Sequence, residues 1–316
     1  METLREALVL SPQYRDYVWG GSRLRPGPGR TAEAWVVYEG DLVAGGPLAG
    51  RTLSEAAAQY GAALLGSRPL EKTGLRFPLL IKLLDCAAWL SLQVHPDNEQ
   101  AVRLEGPGNF GKTEAWHVLE AEPGAEILCG LRPGTSQAEL EQAIRSGTLV
   151  EAMQRLSMQR ADTVFIPARM IHALGPGLLV YEVQQVSDIT YRVFDWNRPA
   201  SAGRPLHIEK SISVADVRLT GQSVPWQPPE DGGRRRLVSC EFFTLEAIVG
   251  REKQVALDTH GETFHALTVV EGKAKILGDG WQRELKRFET AIIPADCGAY
   301  QVNPAGEMKV LLAMAG

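Results

Sequence analysis

His265-Ala266-Leu267-Thr268-Val269-Val270-Glu271-Gly272-Lys273-Ala274-Lys275-Ile276-Leu277-Gly278-Asp279-Gly280 is the stretch that sets the fold class. Two aliphatic, β-branched runs, His265 to Val270 and Lys273 to Leu277, are separated by the turn residues Glu271-Gly272 and closed by Gly278-Asp279-Gly280. Phe242 to Val249, Thr290 to Pro294, Tyr300 to Val302 and Lys309 to Ala313 repeat the pattern. Many short strands at regular spacing favour a sandwich or jelly roll over any helical fold.

Moving towards the N-terminus, Gln222 to Arg236 holds three prolines, two glycines and mixed charge, and reads as a domain boundary. Before it the chain is again strand-rich: Thr31 to Tyr38, Phe77 to Leu84, Trp89 to His95, a strand ending near Cys129, Thr163 to Pro167, Leu178 to Gln185 and Ile189 to Asp195. Helices are expected at Ser54 to Tyr60 (Ser54 as N-cap, Gly61 as stop), from Asp97 through Leu104, and over Leu206 to Val214. Ser136 with Glu139, and Thr148 with Glu151, form two possible capping boxes around Ser146-Gly147. That helix pair reads as an insertion near 133–160. Ser11 to Arg30 and Ser201 to Pro205 read as loops. The expected fold is mainly β: two β-barrel domains of jelly-roll type, 1–225 with the helical insertion and 226–316. Val164-Phe165-Ile166-Pro167-Ala168 and Ala291-Ile292-Ile293-Pro294-Ala295 hint that the two are related.

Composition excludes several function classes. The 316 residues are 44% hydrophobic and 22% charged with net charge −5, ordinary for a soluble globular protein of two domains. Arg234-Arg235-Arg236 is the one run of three basic residues and reads as a solvated connector, so nucleic acid is not an expected partner. Cys86, Cys129, Cys240 and Cys297 lack metal-knuckle or disulfide spacing and read as reduced thiols of a cytoplasmic protein. No segment reaches the roughly 18 apolar residues of a membrane helix, and Glu2, Arg5 and Glu6 interrupt any signal-type start.

Polar residues in apolar strands point to a metal. Gln93 and His95 lie two apart in Leu90-Ser91-Leu92-Gln93-Val94-His95 and therefore share one strand face. Glu114 and His172 occupy similar strand positions. Singly, a buried His is more often a hydrogen-bonded core residue. Together, two imidazoles, a carboxylate and an amide are satisfied at once by a metal ion.

Gln93-Val94-His95-Pro96-Asp97, Lys112-Thr113-Glu114-Ala115-Trp116, Ile166-Pro167-Ala168-Arg169-Met170-Ile171-His172-Ala173-Leu174-Gly175 and the run Glu182 to Asp195 resemble signatures of the type I phosphomannose isomerases. Tyr17-Val18-Trp19-Gly20-Gly21 and Leu206-His207-Ile208-Glu209-Lys210 are similar to that family too. The resemblance spans most of residues 10 to 215 and is nearest the short bacterial form, a cupin domain with a helical insertion followed by a second jelly roll. It implies one Zn2+ per chain on Gln93, His95, Glu114 and His172, and interconversion of mannose 6-phosphate and fructose 6-phosphate through a cis-enediol. Such a donor set suits a catalytic zinc, whereas structural sites are usually cysteine-rich and closed. Spacing leaves open whether Gln93 coordinates directly or only orients a metal-bound water.

The resemblance also implies roles around the metal. Arg192 matches the family's essential arginine, Lys112 its active-site lysine and Glu182 an acid of the pocket. Ser91, Gln184 and Asp188 are candidate substrate contacts, Ser91 towards phosphate; Asp188 also reads as a turn residue. His95, Glu182, Lys112 and zinc-bound water all stay open as the base. Arg169 stands where the family usually has Gly: either the turn strains it, or its side chain reaches the pocket rim. His117 replaces a more usual Tyr and points away from Glu114. His260 and His265 lack partner ligands, so the second domain is read as metal-free. The competing readings are a non-catalytic cupin that binds a sugar phosphate and a metal-dependent cupin oxygenase.

Overall fold

The computed structural model describes residues 3–25, 27, 29–198 and 204–316. Of the loop expected over Ser201 to Pro205, residues 201–203 lie outside them. The fold is mainly β, with antiparallel pairing throughout the registers below. Contacts divide the chain into two compact units, each discontinuous in sequence: Met1–Gln13, Trp35–Lys82 and Gln227–Gly316 form one, Tyr14–Ala34 and Leu83–Trp226 the other. One crossing lies between Trp226 and Gln227. Residues 1–13 group with the C-terminal segment because Leu8–Ser11 pairs with Thr290–Ile293, Leu8 opposite Ile292, and Leu42–Val43 pairs in turn with Leu10 and Ser11.

The unit containing residues 227–316 is built on one sheet. Its order is Arg234–Ser239, Phe243–Gly250, Ala299–Ala315, His265–Gly278, Thr290–Ile293, Leu8–Ser11 and Leu42–Val43. Val255–Asp258 and Trp281–Lys286 pair onto the two long strands; both were missed in the sequence. The turn expected at Glu271-Gly272 is instead a bulge inside one continuous strand, with register shifts on either side. Gly272 is required there: its φ is +67° and a Cβ would lie 1.8 Å from the Glu307 carbonyl oxygen. Tyr300 to Val302 and Lys309 to Ala313 likewise merge into Ala299–Ala315. The helix Leu53–Tyr60 is capped by Thr52, in a capping box with Glu55, two residues before the expected Ser54.

In the other unit two antiparallel sheets stack. The larger has seven strands, among them Ser223–Val224, Thr163–Ile166, Glu114–Ala121 and Leu178–Gln185 as successive neighbours. The smaller runs Tyr191–Phe194, Leu92–Val94, His172–Leu174, Glu126–Leu131, Met153–Ser157. Between them lies a core that includes Trp116, Val164, Ile166 and Val180 from the larger sheet and Ile127, Cys129 and Leu174 from the smaller. The opposite face of the smaller sheet, with Leu92, Val94, Leu128, Ala173, Tyr191 and Val193, is covered by Leu140 and Ile144 of the helix Gln137–Ser146 and Val214 of Ile208–Val214. Ser136 caps the first of these in a capping box with Glu139, and Gly147 closes it in the left-handed conformation. Thr148 makes no side-chain cap, and the second helix is only Leu149–Ala152. The chain is back in a strand from Met153 on, so the helical insertion is shorter than expected. Among the described residues no helix is long and apolar enough to cross a membrane.

Candidate active site

Sheet register assembles the site. Across the smaller sheet Arg192 stands opposite Gln93, Gln93 opposite His172 and His172 opposite Cys129. Opposed residues share a face, so this row lines the face that packs on the larger sheet. Glu114 comes from that larger sheet, opposite Gln184 and Ile166. His95 follows the end of Leu92–Val94, on the same side as Gln93. Donors from two sheets thus meet in the interior of the sandwich.

His95, Glu114 and His172 are all buried, with candidate ligand atoms within 4.8 Å of one another. Glu114 presents Oε1 at 3.3 Å from His172 Nε2 and Oε2 at 3.7 Å from His95 Nε2. The Gln93 amide lies 3.3 Å from His172 Nε2. Both imidazoles are oriented from behind: His95 Nδ1 donates to the Ile189 carbonyl and His172 Nδ1 to that of Met170, each at 2.8 Å. A carbonyl only accepts, so the proton sits on Nδ1 and the Nε2 lone pair faces the cluster, as a metal ligand requires. Burial, and then the Lys112 charge, push His172 down to about 3, which keeps the ring neutral.

The Lys112 ammonium is buried against these same donors, contacting Glu114 and lying 3.2 Å from His95 Nε2. A cation is therefore already accommodated there, and two imidazoles with a carboxylate fit zinc. Glu182 Oε1 lies 3.9 Å from the lysine, and its Oε2 accepts from the Trp116 indole at 2.8 Å. Trp116 also meets the His172 ring edge-on at 5.3 Å. It shares a strand face with Glu114, a spacing that could have marked it in the sequence.

Arg192 and Ser91 form a second group: Arg192 Nε donates to Ser91 Oγ at 3.3 Å and Nη1 to the Pro205 carbonyl at 3.1 Å. Burial and the neighbouring Arg204 lower the Arg192 pKa. Arg204, which no periodicity in the sequence singled out, is paired with Asp195 at 2.8 Å and reaches Ser91 at 3.5 Å. The Gln184 side chain is turned to the backbone, donating to the carbonyls of Gln185 and Ser187. Asp188 is exposed in the segment before Tyr191–Phe194.

The Trp19-Gly20-Gly21 loop is held by close approach. A Cβ on Gly20 would lie 2.6 Å from the Ala32 nitrogen, and one on Gly21 2.3 Å from the Asp85 carboxylate. Asp85, itself buried, accepts from the Arg23 backbone and from its Nε, both at 2.7 Å. Arg169 does adopt positive φ, 76°. Its guanidinium lies 3.3 Å from Asp216 and 3.4 Å from the Val214 carbonyl. His117 is bonded to Thr163 Oγ1 at 2.9 Å, away from the cluster. In the other unit His260 is exposed and His265 is buried against the Tyr300 hydroxyl at 2.7 Å.

Fold and site define a β-sandwich protein with a two-histidine, one-carboxylate centre of metal-binding type, flanked by acid–base groups. Residues 8–133 match the family described as phosphomannose isomerase type I, catalytic domain. The chain is 33% identical to the mannose-6-phosphate isomerase of Streptococcus mutans, covering 98% of each chain. It is 32% identical to the probable mannose-6-phosphate isomerase GmuF of Bacillus subtilis, over 96% of this chain and 98% of that one. A crystal structure of the mannose 6-phosphate isomerase from Bacillus subtilis superposes with a TM-score of 0.86 at 29% identity, covering 98% of this chain and 99% of the other. The chain belongs to the type I phosphomannose isomerase family and is an enzyme of that class.

Proposed function

We propose that this enzyme interconverts mannose 6-phosphate and fructose 6-phosphate, with one Zn2+ per chain, through a cis-enediol. The observation that carries the reading is the buried convergence of His95, Glu114 and His172 with Lys112 and Glu182 in a chain of this family. His95, Glu114 and His172 would hold the zinc, with the Gln93 amide as fourth donor. When bound, zinc supplies a Lewis acid for the oxygen on which charge develops.

The chain's own groups supply the rest. In the forward direction a proton leaves C2 as O1 gains one; C1 then gains a proton as O2 loses one. With Nδ1 of each imidazole bonded to a carbonyl and Nε2 facing the metal position, the side chains assigned to carry these protons are Glu182 and Lys112. Trp116 fixes one Glu182 oxygen and leaves the other towards Lys112. The Lys112 ammonium holds a sugar oxygen, and Arg192, steadied by Ser91, holds an anionic oxygen of the enediolate or the phosphate. Gln184 and Asp188 are assigned to substrate contact, and Ser91 to phosphate. The chemistry is assigned to the catalytic cupin domain, expected over 1–225 and holding the site in the compact unit of residues 14–34 and 83–226, while the second jelly roll, expected over 226–316, is read as metal-free. A small sugar phosphate is the partner, with no nucleic acid or membrane, and the cytoplasm the expected setting.

Turnover on mannose 6-phosphate against glucose 6-phosphate, before and after chelation and zinc restoration, tests the reading. Chelated protein is expected to lose activity and zinc to restore it, and His172→Ala and Arg192→Ala to lose at least about 100-fold in kcat/KM. Full activity without metal would overturn zinc dependence. Saturable sugar-phosphate binding without turnover would instead favour a non-catalytic binder.

A further inference from the structure

We infer that His207 is a positioning residue for Arg192, joining its strand to the helix Ile208–Val214. The two residues are bonded reciprocally: the His207 N–H donates to the Arg192 carbonyl at 2.8 Å, and the Arg192 N–H donates to His207 Nδ1 at 3.2 Å. The second bond requires an Nδ1 lone pair, so the ring is the Nε2–H tautomer. The preceding Pro205 carbonyl takes the Arg192 guanidinium at 3.1 Å. Both the backbone and the side chain of Arg192 are therefore fixed by the segment that starts this helix.

The helix is anchored beyond that contact. The His207 carbonyl accepts from the Ser211 N–H at 2.8 Å and its hydroxyl at 2.7 Å. Past the other end, the Asp216 N–H donates to the Arg169 carbonyl at 3.0 Å, and the Arg169 N–H to the carbonyl of His95 at 2.7 Å. One short helix thus braces the strand of Arg192 and the chain at His95. Arg192 stands opposite Gln93 in the sheet, so its backbone position sets where the guanidinium enters the site. The groups facing the His207 ring are Arg192, Lys210 and Glu105, with the Tyr191 ring at 6.1 Å. Burial and then the Arg192 charge hold the ring towards its neutral form, the form that accepts.

The kinetic arm of the test rests on the isomerase reading; the exchange arm does not. His207→Asn keeps an acceptor near the Nδ1 position, and His207→Leu removes it. Zinc-loaded wild type and both variants are compared for kcat and KM and for hydrogen exchange at the Arg192 amide. His207→Leu is expected to lower kcat/KM about tenfold or more while retaining its zinc, and to speed Arg192 exchange; His207→Asn stays within about threefold with slow exchange, as a preserved acceptor geometry demands. Wild-type kinetics and exchange in His207→Leu would overturn the inference, as would equal impairment of both variants. If wild type shows no turnover the isomerase reading fails, and Arg192 exchange alone decides the role of His207.

Discussion

Arg169 holds a left-handed backbone, φ 76°, which a side chain with a Cβ disfavours by roughly 1–2 kcal/mol. What offsets that cost is visible: an ion pair with Asp216 at 3.3 Å and a bond to the Val214 carbonyl. The pair is more than a third exposed on the arginine side, so it contributes at most about 1 kcal/mol. Arg169→Ala loses the pair and keeps the strain. Arg169→Gly loses the same contacts but releases the strain, less about 0.4–1 kcal/mol for the freer unfolded chain. Urea denaturation should therefore rank Arg169→Gly above Arg169→Ala by up to about 1.6 kcal/mol, with Gly close to wild type. The reverse order would mean that position 169 holds no strain for glycine to release.

At the scale of elements, the loop through Trp19 and Arg23 has no regular hydrogen-bond ladder, and two glycines with one buried ion pair define its path. Gly21→Ala would drive a Cβ into the Asp85 carboxylate. Either the loop moves or Asp85, which is 1% exposed, loses Arg23. Overpacking of this kind costs about 1–3 kcal/mol, and an orphaned buried charge somewhat more. A drop of about 3 kcal/mol in unfolding free energy is expected for Gly21→Ala, with Gly29→Ala as the control, an exposed position without positive φ whose Cβ meets nothing within 4 Å. The strands themselves were legible, because alternation and turn residues carry their own period. The bulge at Gly272 was not, since a positive-φ glycine looks the same in a turn and in a bulge. Thr52 and Ser54 are both competent caps, and only the fold selects between them. In the site, Gln93 and His95 announce themselves by spacing and Trp116 by sharing the face of Glu114. Arg204 and His207 do not: they reach Ser91 and Arg192 across a loop, and no periodicity encodes that return.

For the whole molecule, stability against pH collects the buried histidines. His265, held by the Tyr300 hydroxyl and almost fully buried, is pushed down to about 4 by burial and then by the Arg234 charge. His172 is pushed down to about 3. In the unfolded chain both would titrate at the ordinary value near 6.5. Above that value neither state binds the proton and these groups leave stability flat. Below it the unfolded chain takes up protons that the folded chain refuses, so stability falls as pH drops from about 6.5 towards 4 for His265, and towards 3 for His172. Each proton contributes a slope of about 1.4 kcal/mol per pH unit where the unfolded imidazole is charged and the folded one is not. His265→Gln retains a side chain that can meet the Tyr300 hydroxyl and has nothing to titrate. Denaturant unfolding of the metal-free chain at pH 7 and at about pH 5 should show the wild type losing roughly 1–2 kcal/mol more than His265→Gln over that interval. Equal losses would mean that His265 charges freely in the folded state, and that its burial against Tyr300 imposes no acid sensitivity.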